Sequence, residues 1–268
     1  MTRARSLHQV RAHHAATASE NKIHDDTVAR RYGFAGGLVP GITVFGYLTR
    51  PVVEAWGRDW LSRGTMTGRF RRPIYEGEHV TVRGAVDDAR AELEAIGEDG
   101  EVRAAATAAL PAEAAEPPSL ESYPTADLPG RRHPPTPEAL GAIGTLGTVE
   151  VGFHADRVGE TLAELGDDLS LYRDLAVAHP AWLLRQANLL LAANVALGPW
   201  VHAESELTNF GVLGDGQRLS VRGRVARLFE RKGNCLVELD ILFVADAAVP
   251  VAHARHTAIY RLAAKNDE

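Results

Sequence analysis

The chain reads as an α+β protein made of two copies of one unit, each a long apolar helix followed by antiparallel strands. Three observations predict this. Two runs carry apolar residues at helical spacing behind a proline: Ile42, Phe45, Leu48, Val52, Val53, Trp56 and Trp60 follow Pro40, and a second apolar stretch, 181–197, follows Pro180. After each run come segments in which β-branched and aromatic residues alternate roughly with polar ones. Finally, EGEHVTVRGAV at 76–86 matches DGQRLSVRGRV at 215–225, so that Gly77, Val82, Arg83, Gly84 and Val86 recur as Gly216, Val221, Arg222, Gly223 and Val225. A match that also keeps the order of elements, and nearly the same offset between the two helix-preceding prolines, points to an internal repeat.

Taken in order, residues 7–17 are expected to form a strand leading into a polar turn at 19–24. Asp25 and Asp26 then sit where acidic side chains favour a helix N-terminus, and a short helix over 27–32 ends at Gly33. The long helix spans 39–60, with a kink expected at Pro51, whose ring removes a backbone donor. Strands over 65–75 and 79–90 flank a turn at 76–78, and a further pair, 92–96 and 101–110, is joined by a turn at 97–100. Residues 111–137, rich in Pro, Ala and Glu and containing Pro117-Pro118 and Pro134-Pro135, read as an extended or irregular linker. In the second half the helix over 181–197 precedes strands over 200–210, 218–229, 235–245 and 251–262. The division is a first unit at 1–113, a linker at 114–148 and a second unit at 149–268.

Bulk properties narrow the function. With 268 residues, 45% of them hydrophobic, there is enough apolar surface for a sizeable core. A net charge of -6 gives no electrostatic footprint for nucleic acid. A single cysteine, Cys235, excludes an intrachain disulfide framework and a multi-cysteine metal site and suits a reducing compartment, so the expected location is the cytoplasm. The basic start, MTRARSLHQVRAHH, is followed by no apolar region of the kind a secretory signal needs. The apolar stretch 183–197 is too short for a membrane span and contains Arg185, Gln186, Asn188 and Asn194. Rossmann, P-loop and G-x-S-x-G patterns are absent.

The sharpest local signal is SENKIH at 19–24, followed by Pro40-Gly41 at the start of the long helix. The Asn21-Lys22-Ile23-His24 core resembles the Asp-x-Asn-Pro-Ile/Leu-His signature of MaoC-like, (R)-specific enoyl-CoA hydratases, with Pro40-Gly41 where that family has His-Gly. In this register Ser19 replaces the family's catalytic aspartate and Lys22 its proline. A second stretch, RFRRPIYEGEHV at 69–80, resembles the family's Arg-Phe-x-x-Pro-Val-x-x-Gly-Asp-x-Leu segment, with Glu78 in place of the aspartate. The resemblance covers about residues 15–110 by motif. It implies a hotdog fold, a long helix wrapped by a strongly curved antiparallel sheet. With both units in one chain it implies a double hotdog, a monomeric pseudo-dimer or a homodimer of such chains.

The same resemblance implies roles. His24 would activate water for addition to an enoyl thioester, or remove a proton in the reverse dehydration. Asn21 would orient the turn or the water, and the backbone N–H of Gly41 would hold the thioester carbonyl at a helix N-terminus. Gly36, Gly37 and Gly41 equally suit a tight start to a buried helix. Ser19 hydrogen-bonds but is no base at neutral pH, so the His/Asp pair loses a member. Arg69, Arg71 and Arg72 are candidates for the phosphates of coenzyme A or phosphopantetheine, or else a solvated strand face. The expected ligand is a small acyl thioester, alternatively one carried by an acyl-carrier protein. No cofactor is expected beyond the coenzyme A or phosphopantetheine of the substrate itself, and no metal. His179 lacks companion residues, so the second unit reads as structural or as the wall of an acyl pocket. Trp182, Trp200 and Phe210 read as core, and His202, Glu204 and Glu206 as one exposed strand face. The activity implied is hydration or dehydration by an atypical dyad; the alternatives are a hotdog thioesterase or other lyase, and a non-catalytic thioester-binding protein.

Overall fold

A computed structural model describes residues 5–13 and 19–263. The first half contains β1 (Arg5–Arg11), a 3₁₀ turn (Lys22–His24), α1 (Asp26–Arg31), α2 (Gly41–Arg63), β2 (Thr65–Phe70), β3 (His79–Val86), β4 (Arg90–Ile96) and β5 (Val102–Ala109). After a 3₁₀ turn (Leu120–Ser122) and α3 (Pro137–Gly141) come β6 (Val149–Gly152), a 3₁₀ turn (Ala155–Arg157), α4 (Val158–Leu165), α5 (Leu171–Asp174) and α6 (Pro180–Asn194). The chain closes with β7 (Val201–Asn209), β8 (Arg218–Arg231), β9 (Asn234–Ala245) and β10 (Val249–Arg261). Of the strand expected over 7–17, residues 7–11 belong to β1, and 14–17 lie outside the described residues.

The ten strands form one antiparallel sheet in the order β1-β3-β4-β5-β2-β7-β10-β9-β8-β6. Its two halves mirror each other. The first runs β1-β3-β4-β5-β2, the second β6-β8-β9-β10-β7, and they meet where β2 pairs with β7, from Thr65 opposite Thr208 to Arg69 opposite Glu204. The repeated segments fall on β3 and β8, equivalent positions of the two halves. At their shared glycines the neighbouring strand comes too close for a side chain: a Cβ on Gly84 would lie 2.0 Å from the Glu92 carbonyl oxygen, and one on Gly223 2.8 Å from that of Asp240.

The two long helices share one core with the sheet. Phe45, Leu48 and Val52 of α2 and Leu184, Ala187 and Leu190 of α6 are fully buried there, against Val82 and Leu93 of the first half and Val237, Leu239 and Ile241 of the second. Pro51 does not break α2. The helix continues past it and departs from helical geometry at Gly57, at φ 55° and ψ −140°, a left-handed conformation that only glycine adopts cheaply. Beyond the break Trp60 is fully buried.

On the opposite face of β9, Leu242 and Val244 form a separate cluster with Tyr123. The Pro-rich stretch is irregular over most of its length, as composition suggests, yet it packs closely: the Tyr123 hydroxyl donates to Asp240 at 2.7 Å, and just beyond it, within 114–148, Leu140 and Leu146 are fully buried. Asp240 also accepts from Arg224 and contacts His253, and these partners hold its carboxyl well below the usual carboxylate range despite its burial.

One strand departs from simple alternation. In the pairing of β7 with β10, Glu204 faces Thr257 but His202 faces Ala258, so Ala203 is an extra residue, a β-bulge. The bulge moves His202 onto the face of Ser205 and Leu207 and buries it, whereas Glu206 stays exposed. The expectation of one exposed His202-Glu204-Glu206 face is therefore corrected.

Candidate functional site

The turn that carries His24 is fixed from three sides. Asn21 caps the 3₁₀ turn, its Oδ1 accepting from the Ile23 amide at 3.2 Å. The same side chain reaches the second unit, where Oδ1 accepts from the Trp200 amide at 3.2 Å and Nδ2 donates to the Trp200 carbonyl at 2.9 Å. Ser19 Oγ accepts from the Asn21 amide at 3.1 Å. Asp25 caps α1 through the Val28 amide, whereas Asp26 accepts from the Gly37 amide at 2.7 Å and so ties α1 to the loop before α2. A Cβ at Gly37 would lie 2.1 Å from the His24 carbonyl oxygen, so glycine there is what lets the two loops close.

This closure defines the imidazole. His24 Nδ1 lies 2.7 Å from the Leu38 carbonyl, which can only accept, so Nδ1 carries the hydrogen and Nε2 is the basic nitrogen. Asn21 Nδ2 sits 3.4 Å from Nε2, the donor-to-acceptor sense this tautomer requires.

His24, Asn21 and Ser19 line a cleft of about 890 Å³ between the two units, within the range of small-molecule sites. One wall is the start of α2, with Pro40, Ile42 and Thr43. The other is α6, where Arg185, Asn188, Leu189 and Ala192 recur at helical spacing, continued by Trp200 and roofed by Leu128 and Pro129 of the Pro-rich stretch. Leu128 and Leu189 are 49% and 45% exposed, unusually open for large apolar side chains, and both face this cleft. Glu20 is its one carboxylate among the described residues and pairs with Arg132 at 3.0 Å; Arg185, also in the cleft, pairs with Glu164. The Thr43 and Val44 amides return to the Pro40 carbonyl, whereas those of Gly41 and Ile42 have no partner among the described residues. The positive end of α2 thus lies at the cleft wall, with no side-chain cap.

Gly41 begins α2 as expected, but its Cα faces the protein. A Cβ there would meet His202 Nδ1 at 2.8 Å. His202 belongs to a buried relay: its Nε2 is 2.8 Å from Ser205 Oγ, which is 2.9 Å from His256 Nδ1, and the two rings stack at 4.2 Å. Burial pushes the pKa of His256 down to about 3 and that of His202 well below its ordinary value, so both rings are neutral and place no cation beneath the helix start.

The arginines do not join this cleft. Met66, Gly68 and Phe70 of β2 face the helices, so Arg69 points the other way, pairing with Glu204 at 2.8 Å. Arg69 and Arg71 line a separate groove of about 910 Å³ with Arg227, Glu238 and Arg255. Arg72 pairs with Glu101 at 3.2 Å. Glu78 accepts twice from Arg103 and once from the Tyr75 amide, a structural role at the turn.

Trp200, read as core, also forms cleft wall and latches Asn21. His179, read as lacking companions, has Asp167 Oδ2 3.4 Å from its Nε2, both residues buried. Burial dominates and lowers the His179 pKa, against the opposing pull of Asp167. No metal-binding cluster of His, Cys, Asp and Glu occurs among the described residues, and no helix there is long and apolar enough to cross a membrane.

The sequence matches no protein-family model and no curated protein. The structure does find likenesses. A protein designated a MaoC domain dehydratase from Chloroflexus aurantiacus superposes with a TM-score of 0.69 at 10% identity, covering 96% of this chain and 94% of its own. A conserved Mycobacterium tuberculosis protein with a double hotdog fold gives 0.62 at 16% identity, covering 96% and 95%. A protein designated an oleoyl thioesterase from Lactobacillus plantarum gives 0.52 at 12% identity, covering 98% and 96%. The chain is a double hotdog protein, sharing its fold with MaoC-like dehydratases and with thioesterases.

Proposed function

We propose that the protein binds an acyl thioester in the cleft between α2 and α6 and acts as a hydratase or dehydratase, with His24 as a proton-transferring group. The observation that carries this reading is the His24 imidazole, held as the Nδ1–H tautomer by Leu38 and lining the cleft beside the uncapped start of α2. In dehydration, Nε2 takes the proton from the carbon next to the thioester carbonyl. The electron pair moves onto the carbonyl oxygen, where the amides at the helix start favour the developing charge. As that enolate collapses to the double bond, the β-hydroxyl leaves with the proton His24 returns, giving an enoyl thioester and water. Hydration is the reverse. Ser19 cannot replace a carboxylate base; its Oγ accepts from Asn21 and leaves its own hydrogen to hold the water or the leaving hydroxyl.

A second reading rests on Ser19 where the resembled signature has its aspartate. In the same cleft, His24 would activate water against the thioester carbonyl, releasing a free acid and a thiol. Crotonyl-CoA separates the readings: loss of enoyl absorbance without thiol release supports the first, release of free thiol the second, and binding without turnover reduces the protein to a thioester-binding role. The carrier, coenzyme A or an acyl-carrier protein, is read from which form the cleft accepts; Arg132 and Arg185 lie closer to that role than Arg69, Arg71 or Arg72, because they share the cleft with His24.

A further inference from the structure

Of the four large apolar side chains left exposed among the described residues, Tyr32, Leu128, Leu189 and Val249, two line the cleft that His24 lines. They reach it from unrelated parts of the chain. Leu189 stands on α6, and Ala192 and Ala193, one turn further on the same face, leave open space beside it. Leu128 belongs to the Pro-rich stretch, which crosses the cleft as a strap pinned on both sides. Before Leu128, the Tyr123 hydroxyl donates to Asp240, the Ala126 amide donates to Thr148 Oγ1 at 3.1 Å, and the Ala126 carbonyl accepts from the Thr148 amide at 2.8 Å. After it, the His133 amide donates to the Asn194 carbonyl and the His133 carbonyl accepts from the Ala196 amide, both at 2.8 Å, where α6 ends. A Cβ on Gly147 would lie 2.6 Å from the Leu128 Cα, so glycine there lets the strap pass close by. The backbone of Leu128 is thus held while its side chain stays uncovered.

Placement along the cleft decides what could cover the pair. Arg132 Nη1 donates both to Glu20, in the turn that carries His24, at 3.0 Å and to the Ala192 carbonyl at 3.2 Å, and so ties that turn to α6. Leu189 lies ~4.5 Å along the helix axis from Ala192, on the side away from the end of α6. Leu128 precedes Arg132 in the strap. A crotonyl group has a single methyl beyond the carbons that react, and with those carbons at His24 it would leave both leucines bare. A longer alkyl tail would take them out of water, which favours binding in proportion to the apolar area covered. We propose that the cleft selects acyl groups of medium length, octanoyl over crotonyl, whose tail lies between Leu128 of the strap and Leu189 of α6. The two leucines are then the residues that set chain-length preference. This inference rests on the acyl-thioester reading above and goes beyond it by naming the class of acyl chain and the residues that choose it.

The test titrates non-hydrolysable thioether analogues of butyryl-, hexanoyl- and octanoyl-CoA calorimetrically into the full chain. At about two- to fourfold for each methylene buried, affinity should rise at least about tenfold from butyryl to octanoyl. Leu128→Ser and Leu189→Ser should each remove most of that rise while leaving butyryl binding within about twofold, and Leu128→Met should keep it. Both leucines are exposed, so the variants should melt close to wild type, and the wild-type series stands without them. A series that is flat while butyryl binds, or a rise that both serine variants keep, would overturn the inference and leave the thioester reading intact. Light scattering on the same samples reads the rival occupant: a flat series beside a wild-type dimer that Leu128→Ser splits would assign the leucines to a second copy of the chain. If none of the CoA analogues binds, both the inference and the thioester reading fall.

Discussion

Replacing Asn21 by Ala should release the turn that carries His24 from the second unit. The side chain makes three hydrogen bonds to backbone, accepting from Ile23 and Trp200 and donating to the Trp200 carbonyl, and it lies 3.4 Å from His24 Nε2. At a net ~0.5–1.5 kcal/mol for each bond, and with the site only partly buried, the loss should be about 2–3 kcal/mol. For a chain of this size that corresponds to a fall in Tm of roughly 4–10 °C. The His24–Leu38 bond survives, so the imidazole keeps its tautomer but loses the fixed position of its loop. Misplacing a catalytic group by about an ångström can cost on the order of 10²-fold, so kcat/KM should fall more steeply than stability does. Asn21→Asp is the informative partner: its carboxylate still accepts from both amides but no longer donates to the Trp200 carbonyl, so it should recover part of the Tm and less of the rate. Differential scanning calorimetry beside enoyl-CoA hydration reads both. An Asn21→Ala protein that melts and turns over like wild type would refute the claim that Trp200 holds the site together.

A Cβ at Gly41 would crowd His202, so Gly41→Ala should destabilise by about 1–3 kcal/mol, and His202→Ala should relieve that strain; strict additivity in a double-mutant cycle would contradict the contact. Buried His202 and His256 stay neutral in the fold and burial lowers the His179 pKa below its ordinary value, whereas in the unfolded chain each takes up a proton below about pH 6.5. Stability should therefore be flat with respect to these groups above that pH and fall from about pH 6.5 towards 4, each contributing up to about 1.4 kcal/mol per pH unit. Equal urea midpoints at pH 7 and pH 5 would rule this out. Ser19→Asp supplies a carboxylate where the resembled MaoC-like signature has its aspartate while keeping an acceptor for the Asn21 amide; hydration should rise about 10²-fold or more, and a fall in a His24-dependent activity would assign the serine a chemistry of its own.

The fold was legible because its signals are local. Apolar spacing marked α2 and α6, alternation marked most strands, and the repeat at 76–86 and 215–225 fell on equivalent strands of the two halves. What escaped depends on single backbone events. The kink went to Gly57 instead of Pro51 because a left-handed residue redirects a helix more sharply than one missing donor, and the bulge at Ala203 reversed the face of His202 without any marker in composition. The turn with Ser19, Asn21 and His24 was readable as a contiguous motif. Its Trp200 latch and the Thr43, Arg132, Arg185 and Asn188 walls were not, because they arrive from distant parts of the chain once the units dock. The arginines at 69–72 do not line this cleft: Arg69 lies on the face of β2 opposite Met66, Gly68 and Phe70, and Arg71 and Arg72 follow the end of that strand.

The proposed role of His24, in the cleft between α2 and α6, is to move the proton in addition of water to an enoyl thioester. The direct measurement is crotonyl-CoA hydration by the wild-type chain and His24→Ala, followed as loss of enoyl absorbance with free thiol assayed in parallel. The wild type should hydrate crotonyl-CoA measurably without releasing thiol, and His24→Ala should lose about 10²–10⁴-fold of that rate while still binding a thioether analogue. Hydration that survives intact in a folded His24→Ala protein would contradict it.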